Sequence, residues 1–456
     1  MANTDLTYDV IVIGGGPAGL MAALAAAEQG ARTVLIEKGN RLGRKLGISG
    51  GGRCNVTNAK PLPELMENIP GNGRFLHSAL HRFSNKDVMA FFEGLGIGLK
   101  EEDRGRVFPV TDKAQTVVKA LVNRVFEAGV DVWEECRVNG LYVEDAAKTG
   151  DHERDEQTSE GTGIPQVRGV ILADKRTIRA SSVIIATGGA SVPKTGSTGD
   201  AYPWAERVGH SIVSPYPTEV PLTSDEWFIR DRTLQGLSLR SINISVFLQG
   251  NKLKRLTTES GDLLFTHFGL SGPAALRCSH YVSTARRKDD QCSLLAHIDV
   301  LPGQTKDELL SELKSAKESE PRKHVHNLLP RYIPDRLADV IIHRCNITTD
   351  HPMSDIKNAE LEAVVQHIKA FPVAISGTLP LAQATVTGGG VSVREIDPKT
   401  MSSKVCDGLF FAGEVMDVHA HTGGYNITVA FSSGHLAGTS AAAYALDGVD
   451  QVHSDC

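Results

Sequence analysis

Apolar and polar positions along this chain change period several times, and each change marks an element. In "YDVIVIGGGPAGLMAALAAAEQGARTVLIEKG" the unbroken apolar run from Val10 to Ile13 predicts a buried parallel strand. A glycine turn follows, then an alanine-rich helix over Ala18 to Ala27 stopped by Gly30, and "ARTVLIE" supplies the next strand. Together they make a βαβ unit, right-handed by the general crossover rule. Val117, Val118, Leu121, Val122, Val125 and Phe126 then recur at helical spacing, with Thr111 or Asp112 as N-cap and Gly129 as stop. "VDVWEECRVNGLYVED" has strand character, residues 145–166 read as a polar, mobile hairpin tip, and "SSVIIATGGAS" is a further buried strand ending in glycines.

The proline-punctuated run "VSPYPTEVPL", residues 213–222, breaks this pattern. Beyond it "SINISVFLQG" alternates as antiparallel strands do, and "TKDELLSELKSAKES", "PDRLADVIIHRC" and "IKNAELEAVVQHIKAF" are helical. Later "LFFAGEV" reads as a short strand and "NITVAFSSGHLAGTSAAAYAL" as a helix of small residues. The expected organisation is a discontinuous α/β domain over residues 1–212 and 376–456, interrupted by an insert of strands and helices over 213–375. A chain of 456 residues, 41% hydrophobic, has room for these cores. Its net charge of −6 carries no basic excess, so nucleic acid is not an expected partner. Seven scattered cysteines without a C-x-x-C pair fit a reducing compartment. With no export signal and no apolar run long enough to span a bilayer, a cytoplasmic protein is expected.

Three segments carry candidate chemistry. Gly14, Gly16 and Gly19 form G-x-G-x-x-G, with Gly15, Pro17 and Ala18 between them, at the junction of predicted strand and helix. The first glycine permits the turn, the second admits a pyrophosphate, the third lets helix and strand pack, and the helix N-terminus faces the phosphates. Glu37, followed by Lys38, ends the second strand, where a carboxylate takes adenosine ribose hydroxyls.

The second segment is "GRKLGISGGGRCNVTN", residues 43–58. A helix would lose about 1 kcal/mol at each of its glycines, so it reads as a loop whose backbone a ligand approaches. Lys45 and Arg53 suit a pyrophosphate, and the amides of Ser49, Gly50, Gly51, Cys54 and Asn55 suit phosphates, ribityl hydroxyls and a flavin edge. Cys54 reads as a redox thiol or as a small packing residue. "IIATGG" adds Ala186, Thr187 and Gly188 at another strand end.

In the third, "GLFFAGEVMDVHAHTGGYNITVAFSSG", a strand ends at Gly413 and Glu414, a carboxylate placed for ribityl hydroxyls. Gly423, Gly424, Tyr425, Asn426 and Ile427 then open a helix whose free N–H groups suit the flavin N1 and O2 edge. Reduction by hydride puts negative charge there, which a helix dipole stabilises by about 0.3–2 kcal/mol. A cradle in three parts favours resident FAD over a nicotinamide cofactor.

These residues resemble the BaiN/YhiN-type flavoproteins, also called the aminoacetone-oxidase family of FAD-binding enzymes. "GRVFPVTDKAQTVV", "ATGGASVPKTGSTGDAYPWAERVGH", "LLFTHFGLSGPAAL" and "TGGGVSVREIDPKTMSSKVCDGLFFAGEVMDVHAHTGGYN" carry the likeness with residues 43–58, and it runs from residue 9 to about 438. The resemblance implies a glutathione-reductase-like, Rossmann-type FAD domain interrupted by a β-barrel with a small helical part. It also implies that Val138 offers backbone to the adenine and that Ala186 lies against the cofactor. His419 and His421 stand where members often carry glycine or asparagine, and Thr428 where glutamine is common. The family's associations range from amino-ketone oxidation to reduction of conjugated double bonds.

The expected activity is therefore an FAD-dependent oxidoreductase that moves a hydride between a small organic substrate and flavin N5. No second G-x-G-x-x-G stands in strand–helix context, so NAD(P)H, where used, visits transiently. His421 is the candidate for proton transfer, beside His419, with His267 of "FTHFGLSGP" as another. The pair His324 and His326 lacks companions for a metal set, and no metal is expected. The competing reading is a structural flavin in an RNA- or protein-binding module.

Overall fold

The computed structural model describes residues 7–144 and 163–454, which form two compact units: the residues up to Tyr216 together with those from Val386 on, and Pro217–Thr385. In the first unit the strand Thr7–Ile13 lies between two parallel partners, Thr33–Ile36 and Thr177–Ile185. Asp131–Trp133 extends the sheet beside the former and Leu409–Phe411 beside the latter. The register levels the strand ends, pairing Ile13 with Ile36 and Ile185, Ile185 with Phe411, and Ile36 with Trp133. Ile11, Val12, Val34, Leu35, Val183 and Ile184 are wholly buried, each contributing about 1.5–3 kcal/mol. Val138–Glu144, Gln166–Leu172 and Thr177–Ile185 add an antiparallel meander. The hairpin tip expected at 145–166 lies, up to residue 162, outside the described residues.

The helices Pro17–Glu28 and Tyr425–Ser454, remote in sequence, pack backbone to backbone. Their contact runs through Gly434 and Gly438, one helical turn apart. A Cβ on Gly434 would stand 2.3 Å from the Ala18 carbonyl oxygen, and one on Gly438 2.2 Å from that of Ala22. Small residues on both faces therefore bring the last helix close against the one that opens at the glycine turn.

The Pro217–Thr385 unit is built on a seven-stranded sheet whose path runs from Phe371–Ile375 to Gly377–Thr378. These two edge pieces are separated only by Ser376, so the sheet closes on itself as a barrel. Its longest strands, Ser238–Gln249 and Lys254–Phe265, bury Ile242, Ile244, Val246, Leu263 and Phe265 inside. The helices Lys306–Ser319, Asp335–Arg344 and Asn358–Lys369 share that core.

Two local expectations change. The N-cap position of the helix Ala114–Glu127 is Lys113, without a side-chain capping hydrogen bond, rather than Thr111 or Asp112; the Asp112 carboxylate is taken by Arg53 and Lys100. Residues 43–58 are not loop throughout: Arg44–Ile48 is one helical turn and Ser49–Gly52 a 3₁₀ turn, with Gly43, Gly50, Gly51 and Gly52 at positive φ. Glycine there reverses the chain between turns too short to lose much helix energy.

The helix contact predicts unequal outcomes at two glycines. Gly438→Ala should lower stability by about 1–3 kcal/mol, since the backbone opposite cannot yield. Gly94→Ala, at the end of the helix Asn85–Gly94 with open space at its Cβ, should leave stability unchanged or raise it by up to about 1 kcal/mol. Thermal denaturation of both variants checks the contrast.

Candidate functional site

The first residues beyond four levelled strands are Gly14, Glu37, Ala186 and Ala412, so segments far apart in sequence meet along one sheet edge. Ligands of open α/β sheets bind at this carboxyl edge. The turn after the first strand is fixed by sterics. A Cβ on Gly14, at φ +106°, would lie 2.7 Å from the Ala186 carbonyl oxygen, and one on Gly19 1.8 Å from that of Gly14. At Gly16, the N-cap, the corresponding space is open. Pro17 occupies the first turn and Ala18 is buried behind it. The helix thus begins with its N–H groups beside a surface without side chain, the arrangement that receives an anion.

Glu37 accepts the Gly15 and Gly39 amides at 2.7 Å each, which locks its carboxylate against the glycine turn. Lys38 reaches Thr198 at 2.6 Å and Asp200 at 2.7 Å, two residues to which the sequence reading gave no role. Val138, buried, begins its strand opposite Leu172, while Trp133, Cys136, Arg137 and Arg176 help line a cavity of about 550 Å³ alongside.

Residues 43–58 and 413–427 are in direct contact. Lys45 Nζ lies 2.6 Å from Glu414 Oε2, and Ser191 Oγ donates to Glu414 Oε1 at 3.1 Å. The same Oε1 accepts the Thr387 amide at 2.7 Å. Asn58 Nδ2 donates to the Gly423 carbonyl at 2.9 Å, and the Thr57 and Thr428 hydroxyls stand 2.7 Å apart. A Cβ on Gly424 would lie 2.3 Å from the Thr57 carbonyl oxygen, so only glycine lets the two walls meet. Ser191 and Thr387 were missed in the sequence because a lone hydroxyl in a glycine-rich turn carries no spacing signal. Gly413, at φ +75°, donates to Ser433 Oγ of the last helix.

The expectation that Arg53 counters a pyrophosphate meets two carboxylates in place: Glu102 at 2.5 Å and Asp112 at 2.6 Å, with the guanidinium over the Phe108 ring. The Arg53 hydrogen bond holds Glu102 below the usual carboxylate range; for Asp112, Lys100 comes first and Arg53 second. Ser49 turns its hydroxyl back to the Leu46 carbonyl, and Gly50 and Gly51 form the turn.

Asn426 folds onto its own approach loop, accepting the Ala420 amide and donating to the Ala420 and His421 carbonyls. The His421 amide donates to the Asn68 carbonyl at 2.9 Å, and Gly71 and His419 exchange backbone hydrogen bonds. Both imidazoles are buried, that of His419 edge-on to Tyr216. Tyr425 is buried and Ile427 half-buried at the helix start. His267 is exposed in the other unit, and His326 pairs with Asp339 at 2.7 Å. Among the described residues no cluster of three His, Cys, Asp or Glu side chains could hold a metal ion. Among them too, no helix is long and apolar enough to cross a membrane.

Whether a flavin dinucleotide suits these residues is tested by their unsatisfied polar atoms. Asn55 Oδ1, Thr187 Oγ1 and Tyr202 OH are buried without a hydrogen-bond partner. Asn55 Oδ1 sits at the start of the last helix, 2.9 Å from where a Gly424 Cβ would be. Thr187 follows the strand end at Ala186, and Gly188 turns the chain at φ +74°. Orphaned polar atoms of this kind cost about 1–3 kcal/mol each unless a ligand answers them. A ligand with ribityl hydroxyls and a ring imide suits that pattern.

Cys54 behaves as a packing residue. It is fully buried at φ +63°, its amide bonded to the Ser49 carbonyl, and burial pushes its thiol up to about 12. It should resist iodoacetamide at pH 8 and react once unfolded, by peptide mass analysis. Because the unfolded thiol ionises near pH 9 and the folded one does not, the stability Cys54 contributes is whole below pH 9 and is lost as pH rises toward 12. Denaturant melts between pH 8 and 10 should show the decline.

Comparison with known proteins agrees with this architecture. The family described as HI0933-like protein Rossmann domain matches residues 8–440. A ribosomal RNA dihydrouridine synthase of Haemophilus influenzae is 31% identical over 430 residues, 94% of this chain and 97% of its own. Its namesake in Escherichia coli is 30% identical over 432 residues, 93% and 96% of the two chains. A 3-dehydro-bile acid delta(4,6)-reductase of Clostridium scindens is 27% identical over 436 residues, 94% and 98%. With its glycine turn, levelled strand ends and near full-length match, the chain belongs to the HI0933-like protein Rossmann domain family, the BaiN/YhiN-type FAD-dependent oxidoreductases.

Proposed function

We propose that this protein reduces a carbon–carbon double bond conjugated to a carbonyl, with uracil of ribosomal RNA as substrate and NAD(P)H as the transient source of electrons. The observation that supports the reading is the joining of residues 43–58 to 413–427 through Lys45 and Glu414, together with the buried Asn55 and Thr187 oxygens that have no hydrogen-bond partner. In this reading the Gly14–Gly19 turn takes the pyrophosphate and Glu37 the ribose. Thr187 and Glu414 meet the ribityl chain, and Asn55 with the N–H groups of 425–427 meets the isoalloxazine. FAD, when bound, supplies hydride chemistry.

The substrate class follows from what the relatives' names share. A dihydrouridine synthase and a delta(4,6)-reductase of a 3-oxo acid both add two hydrogens across an alkene conjugated to a carbonyl. In uracil the hydride goes to C6 and a proton to C5, with the C4 carbonyl taking up charge in between. The two relatives named for ribosomal RNA have 30–31% identity across almost the whole chain, which favours uracil over a steroid acid. His421 is the group assigned to move the proton, its backbone pinned by Asn68 and Asn426.

The purified protein should be yellow and should bleach with NADH or NADPH under anaerobic conditions. Ribosomal RNA from cells lacking the gene, incubated with protein and reductant, should gain two hydrogens at a uridine by nucleoside mass spectrometry. His421→Asn should slow that reaction by about 10²-fold or more while flavin content and bleaching hold. Asn55→Ala should lower the bound-flavin absorbance ratio. A colourless protein, or RNA left unchanged while a steroid enone is reduced, would remove the uracil assignment.

A further inference from the structure

The outer face of the barrel carries a group of residues that neither the core nor the dinucleotide site uses. Along Ser238–Gln249 the side chains of Ile242, Ile244 and Val246 point inward, which turns Phe247 outward. In register with it stand Leu295 on one neighbouring strand and Arg255 on the other. His297, two residues on from Leu295 and on the same face, has its ring centroid 5.0 Å from that of Phe247. Phe247, Leu295 and His297 are half-buried, and neither Phe247 nor Leu295 belongs to the packed core of this unit. Burial lowers the His297 imidazole, which keeps it a neutral ring at pH 7.

Cations crowd the same end of the sheet. Lys252, Lys254 and Arg255 are exposed in the turn and first residues of the next strand, around Leu253, itself 50% exposed. Among the described residues no carboxylate pairs with any of the three. Lys38, Lys45, Arg53 and Lys100 all have such partners in the other unit. Like charges within a Debye length of about 8 Å repel, so three unanswered cations together are suited to a polyanion. An aromatic pair on a sheet surface, flanked by cations, is how sheet-based modules hold single-stranded nucleic acid. Bases stack on the rings and phosphates meet the charges.

We propose that this face, Phe247 and His297 with Arg255, together with Lys252 and Lys254 at the sheet end beside it, docks an unpaired segment of the ribosomal RNA substrate. The inference rests on the uracil reading above and adds where RNA is held on the barrel unit. Charge complementarity, with half-buried rings turned away from the core, selects RNA over a protein partner.

The test uses the intact flavoprotein and in vitro transcribed ribosomal RNA without modifications. Phe247→Ala should weaken binding about tenfold, the loss of one base stack. Lys252→Gln, Lys254→Gln and Arg255→Gln together should reduce the slope of log affinity against log salt by about two, at about 0.7 per single-strand phosphate. Melting temperature, flavin content and bleaching by NADPH should match the wild type in both variants. Wild-type affinity and salt slope in both would overturn the docking face while leaving the uracil reading intact. A wild-type protein that neither binds nor modifies the RNA would remove both, and binding to phosphatidylglycerol vesicles in place of RNA would overturn the choice of polyanion.

Discussion

Everything at the candidate site depends on the register of the parallel strands. Ile13, Ile36, Ile185 and Phe411 end side by side, so the chain turns off the sheet at one level four times over. Each turn delivers a different chemical feature: bare backbone at Gly14, a carboxylate at Glu37, a hydroxyl at Thr187 and a second carboxylate at Glu414. A slip of one strand by one residue would carry its buried side chains to the wrong face as well as misplace its turn. The apolar runs that drive the sheet together thus also assemble the site, and no separate interaction is needed to recruit the distant segments.

The glycines work in the same direction. Gly14 and Gly19 bring helix onto strand, Gly434 and Gly438 bring the last helix onto the first, and Gly424 seats that helix against Thr57. At each place the partner is main chain, which cannot swing aside as a side chain would. The cations of residues 43–58 are then held rather than free, Lys45 by Glu414 and Arg53 by Glu102 and Asp112. These pairs tie the loop down, which leaves amides and the orphaned Asn55 oxygen as what the loop presents.

Much of this was legible in the sequence because strong local patterns carry it. The run Val10 to Ile13, the glycine turn and Glu37 fix a strand, a helix start and a strand end with few alternatives. The small residues after Asn426 likewise announced a helix that must pack closely. What stayed hidden depended on long-range partners. Asp112 looks like an N-cap until Arg53 and Lys100 claim it, and Ser191 and Thr387 have no local signature for binding Glu414. The face around Phe247 was invisible for another reason: a formal charge of −6 averages over the surface and conceals three lysines and arginines in four positions.

The barrel unit is spliced between Thr177–Ile185 and Leu409–Phe411, two strands that are neighbours in the finished sheet. Its two chain passages are joined where Ile212–Thr218 pairs with Val386–Val391. For a growing polypeptide this imposes an order of events. More than half the parallel sheet leaves the ribosome before its final strand exists, and the intervening unit, having a hydrophobic interior of its own, has time to fold first. Once folded, it holds its entry and exit together and so shortens the effective loop that the last strand must close. The helix Tyr425–Ser454, which supplies one wall of the candidate site, follows that strand in the chain, so the candidate site is complete only after the intervening unit has been made.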